Sequence, residues 1–361
     1  MYLVHASLYG VAPFGDLDVP FVGADGAPRL VTVLHGGAGS GKTSLLTAIA
    51  NTRPGHTSTP SSLRPASDPS RAPCATCDWL LGDDDAARPH PLRVMSPHSP
   101  HDPSDKEAVL RRREQALFDR RAKDRGFVCL AFPSARWFSR QPVSLHAPHR
   151  SIARYDARAT TPLDDANRFD FTRETKQALA YAAISSALAP SNHRERVRAR
   201  RRAPGWRDTR TLGNAVHETT HAFVQLAGFG YHGLDAVSFE PLFTSQTGQL
   251  VPFDGLPTRV RHLASFAALT IRTLWAAYPD ADPRNGQGVV AIDDADLRQD
   301  TDVLTGLVPT LRSCLPRVQW ILSTSSVEFA SACAPQEVLA LRRLPDTQGV
   351  QLFSGTQAQT H

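Results

Sequence analysis

Residues 30–50 read LVTVLHGGAGSGKTSLLTAIA. The apolar run from Leu30 to Leu34 has the composition of a buried strand, and SLLTAIA carries its apolar residues at helical spacing. Between them, Gly36, Gly37, Ala38, Gly39, Ser40, Gly41, Lys42 and Thr43 match the pattern G-x-x-x-x-G-K-[ST] in full. The chemistry needs each residue type. Glycines let successive backbone N–H groups converge on phosphate oxygens. A lysine at position 42 reaches the β- and γ-phosphates, and the Thr43 hydroxyl is the expected Mg²⁺ ligand. The positive end of the helix that follows adds to the anion site. Residues 36 to 43, with Ser44, are therefore the expected contacts for ATP.

A phosphate loop needs an acid-bearing strand to hold the metal. GQGVVAIDDADLRQD (residues 286–300) supplies one, with a buried-strand run from Val289 to Ile292 that ends in Asp293 and Asp294. The expected roles are Mg²⁺ ligation for Asp293 and orientation of the attacking water for Asp294. Lys42 and Asp294 are thus the candidate catalytic residues, and ATP with Mg²⁺ the expected cofactors.

The 361 residues are 41% apolar and 21% charged, a composition of globular proteins. A chain of this length can bury a large core. A net charge of +5 is too mild to establish nucleic-acid binding. Five cysteines, an odd and small number, point to a reducing compartment without a disulfide framework. The first residues have no charged segment leading into a continuous apolar stretch, and no apolar run reaches the roughly 18 residues of a spanning helix. A cytoplasmic protein with no membrane contact is expected.

The flanking segments narrow the P-loop class. YLVHASLYGVAPFGDLDVPF (residues 2–21) alternates like paired strands and leads directly into the P-loop strand. With Val11 to Leu17 in its turn, it resembles the opening of the ABC-type ATPase heads of the SMC and RecF-like group. The likeness continues over residues 286–326, where the acidic strand is followed by a helix (Val303 to Ser313) and the strand VQWILSTSS. The resemblance implies an α/β P-loop fold of ABC-head type with an antiparallel β-subdomain and a helical insertion. The whole of residues 1–361 then forms a single ATPase domain. Residues 1–50 carry the first strands and the P-loop, and 51–126 a loop-rich β/helical insertion. Residues 142–230 form a helical subdomain, and 231–361 the signature helix, the acidic strand and the end of the core. It also implies that Gln141 senses Mg²⁺, with Arg136 nearby. ATP is sandwiched between two heads in that group, so a second copy or another head, and an effector protein, are the implied partners. A DNA-processing or defence-type complex is the implied setting.

Three positions depart from the family pattern. Leu256-Pro257-Thr258-Arg259 stands where a Leu-Ser-x-Gly signature precedes the long helix, Asp294 where a glutamate is usual, and Thr324-Ser325-Ser326 where many members carry a switch histidine. These departures imply slow hydrolysis, or ATP used as an assembly switch. A nucleotide-sensing scaffold that does not hydrolyse ATP is the alternative.

His217-Glu218-Thr219-Thr220-His221 matches the zinc-peptidase pattern H-E-x-x-H. A zinc site needs a third ligand and an open position. The nearby candidates, His232 and Glu240, fit neither the spacing nor the helix that such sites use. A helix from Thr209 to Leu226 with Leu212, Val216, Phe223 and Leu226 inward is the simpler expectation. Cys74 and Cys77 could pair with His98 and His101 in a zinc clip, although no second C-x-x-C exists and adjacent hairpin cysteines are the plainer reading. The arginine-rich segment 193–210 reads as a solvated linker, or as a contact for protein or nucleic acid. Residues 52–72 read as a loop rich in Pro, Ser and Thr. EVLALRRLPDTQGVQLFSG reads as a closing hairpin, and QAQTH as a frayed tail.

Overall fold

The computed structural model describes residues 1–52, 63, 65–66, 72–81, 90–97, 106–123, 128–143, 145, 170–190, 209–278, 281–344 and 349–359. Most of the Pro/Ser/Thr loop, His98, His101 and residues 193–208 of the arginine-rich segment lie outside these residues.

Strand β1 (Tyr2–Val11) pairs antiparallel with β2 (Gly15–Pro20), as the alternation predicts. It also pairs with β4 (Cys74–Leu80), which is antiparallel to β5 (Leu92–Ser96), giving an antiparallel sheet in the order β2-β1-β4-β5. A second, mainly parallel sheet runs β13-β12-β3-β11-β10-β6. Its strands are β3 (Val31–His35), β6 (Cys129–Phe132), β10 (Gly288–Ile292), β11 (Val318–Thr324), β12 (Val338–Arg343) and β13 (Val350–Ser354). Every residue of β3, β10 and β11 is buried, as their near-continuous apolar runs require of strands covered on both faces. The closing hairpin forms as β12 and β13.

Two hydrophobic cores lie on the two faces of the parallel sheet. One joins Leu34, Ile321 and Leu339 to α1 (Lys42–Asn51) and the antiparallel sheet through Leu45, Ile49, Leu3 and Trp79. The other joins Val33, Val290 and Trp320 to the helices α3 (Phe171–Ala187), α4 (Thr209–Gln225), α5 (Thr258–Ala277) and α6 (Thr301–Cys314). Helix α2 (Lys106–Lys123) packs on β5. A small antiparallel sheet of β7 (Gly230–Leu234), β8 (Pro241–Thr244) and β9 (Leu250–Pro252) follows α4. The β8–β9 hairpin closes through Thr247 and Gly248, where Gly248 has a φ of +80°.

The tail differs from its expectation. Thr356–Gln359 form a short helix (α8) whose Ala358 is buried. Gln359 Nε2 donates to Ala330 O at 3.3 Å and Cys333 O at 2.9 Å, at the end of helix α7 (Val327–Ala332). Those bonds fix a segment whose composition alone suggests fraying.

Lys176 of α3 is buried, with its side chain 1% exposed. It pairs with Glu240 at 2.9 Å and Asp254 at 2.7 Å, and donates to Gln141 O at 2.7 Å. A charge this deep persists because carboxylates and a carbonyl replace its water. Together they tie α3 to the turns that lead into β8 and α5.

Candidate functional site

Three adjacent parallel strands, in the order β3, β11, β10, end side by side, and their C-terminal ends carry the site. Beyond β3 the chain turns into the glycine loop. Gly36 N donates to Thr324 O at 3.2 Å, tying the loop's first residue to the end of β11. A Cβ at Gly36 would lie 2.6 Å from Leu341 O and 2.5 Å from Ser40 Oγ, so only glycine fits there. At Gly41 the backbone is left-handed, with φ of +92°, and it immediately precedes α1.

The Lys42 ammonium is buried and folds back over the loop, donating to Gly36 O at 2.7 Å and Gly37 O at 3.1 Å. Thr43 Oγ1 donates to Asp293 Oδ2 at 2.8 Å, joining the start of α1 to the end of β10. Asp293 is fully buried, and its other oxygen accepts from Ser323 Oγ at 2.6 Å. The same Ser323 oxygen accepts from Asp294 N at 2.8 Å. Asp294 is left-handed, with φ of +46°. Burial, then the neighbouring Asp293, pushes its carboxyl above the usual range, with Lys42 working against both.

A cavity of about 500 Å³ opens over these groups. Ala38, Gly39, Gly41, Lys42, Thr43 and Ser44 of the loop line it, with Ala12, Pro13, Asp294, Asp296, Leu297 and Ser325. The Ser40 hydroxyl is buried beneath the loop with no protein partner. The glycine cradle and the lysine of this lining fit a nucleoside triphosphate, and the unpaired Ser40 hydroxyl lies in the same loop. The hydroxyl and carboxylate oxygens of Thr43 and Asp293 suit a hard divalent cation such as Mg²⁺.

Gln141 is not brought to this cavity. Its Nε2 donates to Asp170 Oδ2 at 2.9 Å, and Asp170 also accepts from Ser139 and from Thr172 N at 2.9 Å. That carboxylate, the N-cap of α3, holds the glutamine at the helix start. Arg136 lies nearer, with its Nη1 donating to Asp293 O at 2.6 Å and its Nη2 to Asp294 O at 2.7 Å. Burial lowers its pKa to about 10 despite the acids around it. At the start of α5, Arg259 pairs with Asp300, and Leu256 is buried.

Sequence reasoning missed Ser323, Asp296 and Leu297, and read Ser325 only as part of the segment where the family carries a switch histidine. Ser323 sits one residue beyond the Leu322–Ile292 pair, at the level of Asp293 on the neighbouring strand, a register that the sequence does not show. Asp296 and Leu297 lie in a turn, where spacing carries little information.

His217, Glu218 and His221 lie on the outer flank of α4, with Leu212, Val216 and Phe223 buried on its inner side. Leu226 lies just beyond the helix, half-buried. Glu218 pairs with Arg284. Burial and the neighbouring His221 lower the His217 pKa. Cys77 is buried, which pushes its thiol up to about 12, and Cys74 is half-buried on the other face of β4. Among the described residues, no group of three or more His, Cys, Asp or Glu side chains could hold a metal ion. Among them, too, no helix is long and apolar enough to cross a membrane.

No family model matches the sequence, and no curated protein matches it. Solved structures do match the fold. One is an Smc head bound to the C-terminal winged-helix domain of ScpA, with 10% identity and a TM-score of 0.52 over 98% of this chain and 97% of that one. Another is an Smc head with an extended coiled coil, bound to the C-terminal domain of ScpA derived from Pyrococcus furiosus. It shows 12% identity and a TM-score of 0.52 over 98% and 96% of the two chains. The chain has the fold of an SMC-like ABC ATPase head.

Proposed function

We propose that this chain is a Mg²⁺-dependent ATP-binding head and a slow ATPase, whose ATP-driven pairing regulates a protein complex. The observation that carries the reading is that Lys42, Thr43 and Asp294 line one cavity, with Thr43 bonded to the buried Asp293 and Asp293 to Ser323 behind it. In this reading the loop amides and Lys42 bind the β- and γ-phosphates, and Lys42 exchanges its two carbonyl bonds for phosphate oxygens. Thr43 and Asp293 hold Mg²⁺, which when bound neutralises charge on the transferring phosphoryl group. Asp294, which lines the cavity, orients the attacking water.

Pairing with a second copy or with another head is proposed because the fold is shared with Smc heads. Both of those structures are bound to a part of ScpA, which supports a protein effector as a further partner. A DNA-processing or defence-type assembly is the setting proposed. A non-hydrolysing sensor is a second reading, favoured by Leu256-Pro257-Thr258-Arg259 at the head of α5 and by the pairing of Arg259 with Asp300.

The test compares wild type with Lys42→Ala. Phosphate release and molecular mass are followed with ATP and Mg²⁺, alongside metal analysis of the wild type. The expected result is release or a mass increase in the wild type, lost in the variant, with no stoichiometric zinc. Mass increase without release selects the sensor. No response to ATP, with one equivalent of zinc, returns the question to His217, Glu218 and His221.

A further inference from the structure

Arg136 belongs to none of the motifs that hold phosphate or metal, yet its guanidinium holds the end of the acid strand through two successive main-chain carbonyls. It lies beyond β6, and its Nη1 also donates to Pro133 O at 2.9 Å, which fixes the group from its own side. The bonds to Asp293 O and Asp294 O flank the Cα of Asp294, the residue held at φ of +46°. A non-glycine residue in that region is strained and persists only where its surroundings over-determine it. Ser323 holds the amide of the same residue. On the other side, the guanidinium stands 5.4 Å from the centre of the Phe266 ring on α5, and Phe266 packs edge-on against Phe132 of β6 at 4.9 Å. A planar fork can hold two successive carbonyls together while lying flat on a ring, and a lysine cannot.

We propose that Arg136 is a positioning residue for the nucleotide site: it locks the turn at Asp294, aims the Asp293 and Asp294 carboxylates at a Mg²⁺–nucleotide, and links that turn through Phe266 to α5. This rests on the ATP-binding reading above. Arg136 touches neither phosphate nor metal in this role. It acts on the two acids through their main chain, so the signature of its loss is a weaker contribution of Mg²⁺ to ATP affinity, with the glycine loop left intact.

The experiment uses the full chain and a fluorescent ATP analogue, titrated with Mg²⁺ and again in EDTA. Wild type, Arg136→Lys, Arg136→Gln and Phe266→Leu are compared, with thermal unfolding of each. The EDTA affinity is expected to be unchanged in all four. The gain in affinity from Mg²⁺ is expected to fall about tenfold or more in both Arg136 variants, as for loss of a group that orients a metal ligand. Phe266→Leu, which keeps the hydrogen bonds and removes only the ring, is expected to show a smaller loss of the same kind. A folded Arg136→Lys with wild-type Mg²⁺ enhancement overturns the inference. Equal loss of affinity with and without Mg²⁺ also overturns it, because that marks general structural damage. If neither Arg136 variant folds, Phe266→Leu decides, and an unchanged Mg²⁺ enhancement there is fatal to the idea. Wild type that binds no ATP at all removes the ATP-binding reading itself, and the inference with it.

Discussion

Gly41 shows how one position can be closed to every other residue. Its φ of +92° is open to glycine and strained for side chains, and a Cβ there would lie 2.7 Å from Pro13 Cδ and closer still to the Phe14 ring. The turn between β1 and β2 therefore presses directly on the phosphate loop. Gly41→Ala is expected to destabilise the protein by about 1–3 kcal/mol, read from urea unfolding, and to abolish ATP binding even where the fold survives. The same crowding explains why the loop was legible in sequence: glycine, lysine and threonine are each demanded by a separate contact, so the pattern cannot drift. Asp293 was legible for the same reason. Ser323 was not, because a serine at a strand end satisfies many environments, and only the neighbouring strand reveals that it serves both acids.

At the scale of elements, α3 depends on its first residues. Asp170 accepts from Thr172 N as the N-cap and also receives Ser139 and Gln141. Burial works against its charge, but the Ser139 hydroxyl and Thr172 amide outweigh it and hold the carboxyl below its usual range. Asp170→Ala is expected to cost about 1–2 kcal/mol of stability. A depressed carboxyl means that its contribution is whole above the unfolded pKa, about pH 4, and is lost as pH falls through the native one. The difference in stability between wild type and variant, measured across that acid range, should shrink towards zero. Gln141, which the family resemblance places near the nucleotide, has its amide held at the cap of α3, a contact that the sequence does not show. Strands and long helices were legible from period and burial. The β7 strand, GYHGL, was not, since two glycines and a histidine carry no alternation. The terminal helix α8 was missed because its order comes from Gln359 reaching α7, a contact invisible along the chain.

For the whole molecule, both cores share the parallel sheet, so neither side can be lost without exposing the strands that serve the other. One cooperative unfolding transition is expected among probes of the two faces, Trp79 on one and Trp275 on the other. A ligand that binds only the folded form stabilises it by about 2.7 kcal/mol at a hundred times its Kd. Scanning calorimetry with Mg²⁺ and ATP should therefore show the single transition move upward as a unit, and Lys42→Ala should leave it unmoved. The bond between Thr43 and Asp293 spans 250 residues of chain. At roughly 5–20 residues per second on a ribosome, the glycine loop would wait some tens of seconds for the strands that complete it. During that interval β3 has neither of its neighbours, β11 and β12, which are synthesised near the end. Its apolar edges would then need protection during biosynthesis, an obligation that arises from the order in which the strands are made and that a chaperone would meet.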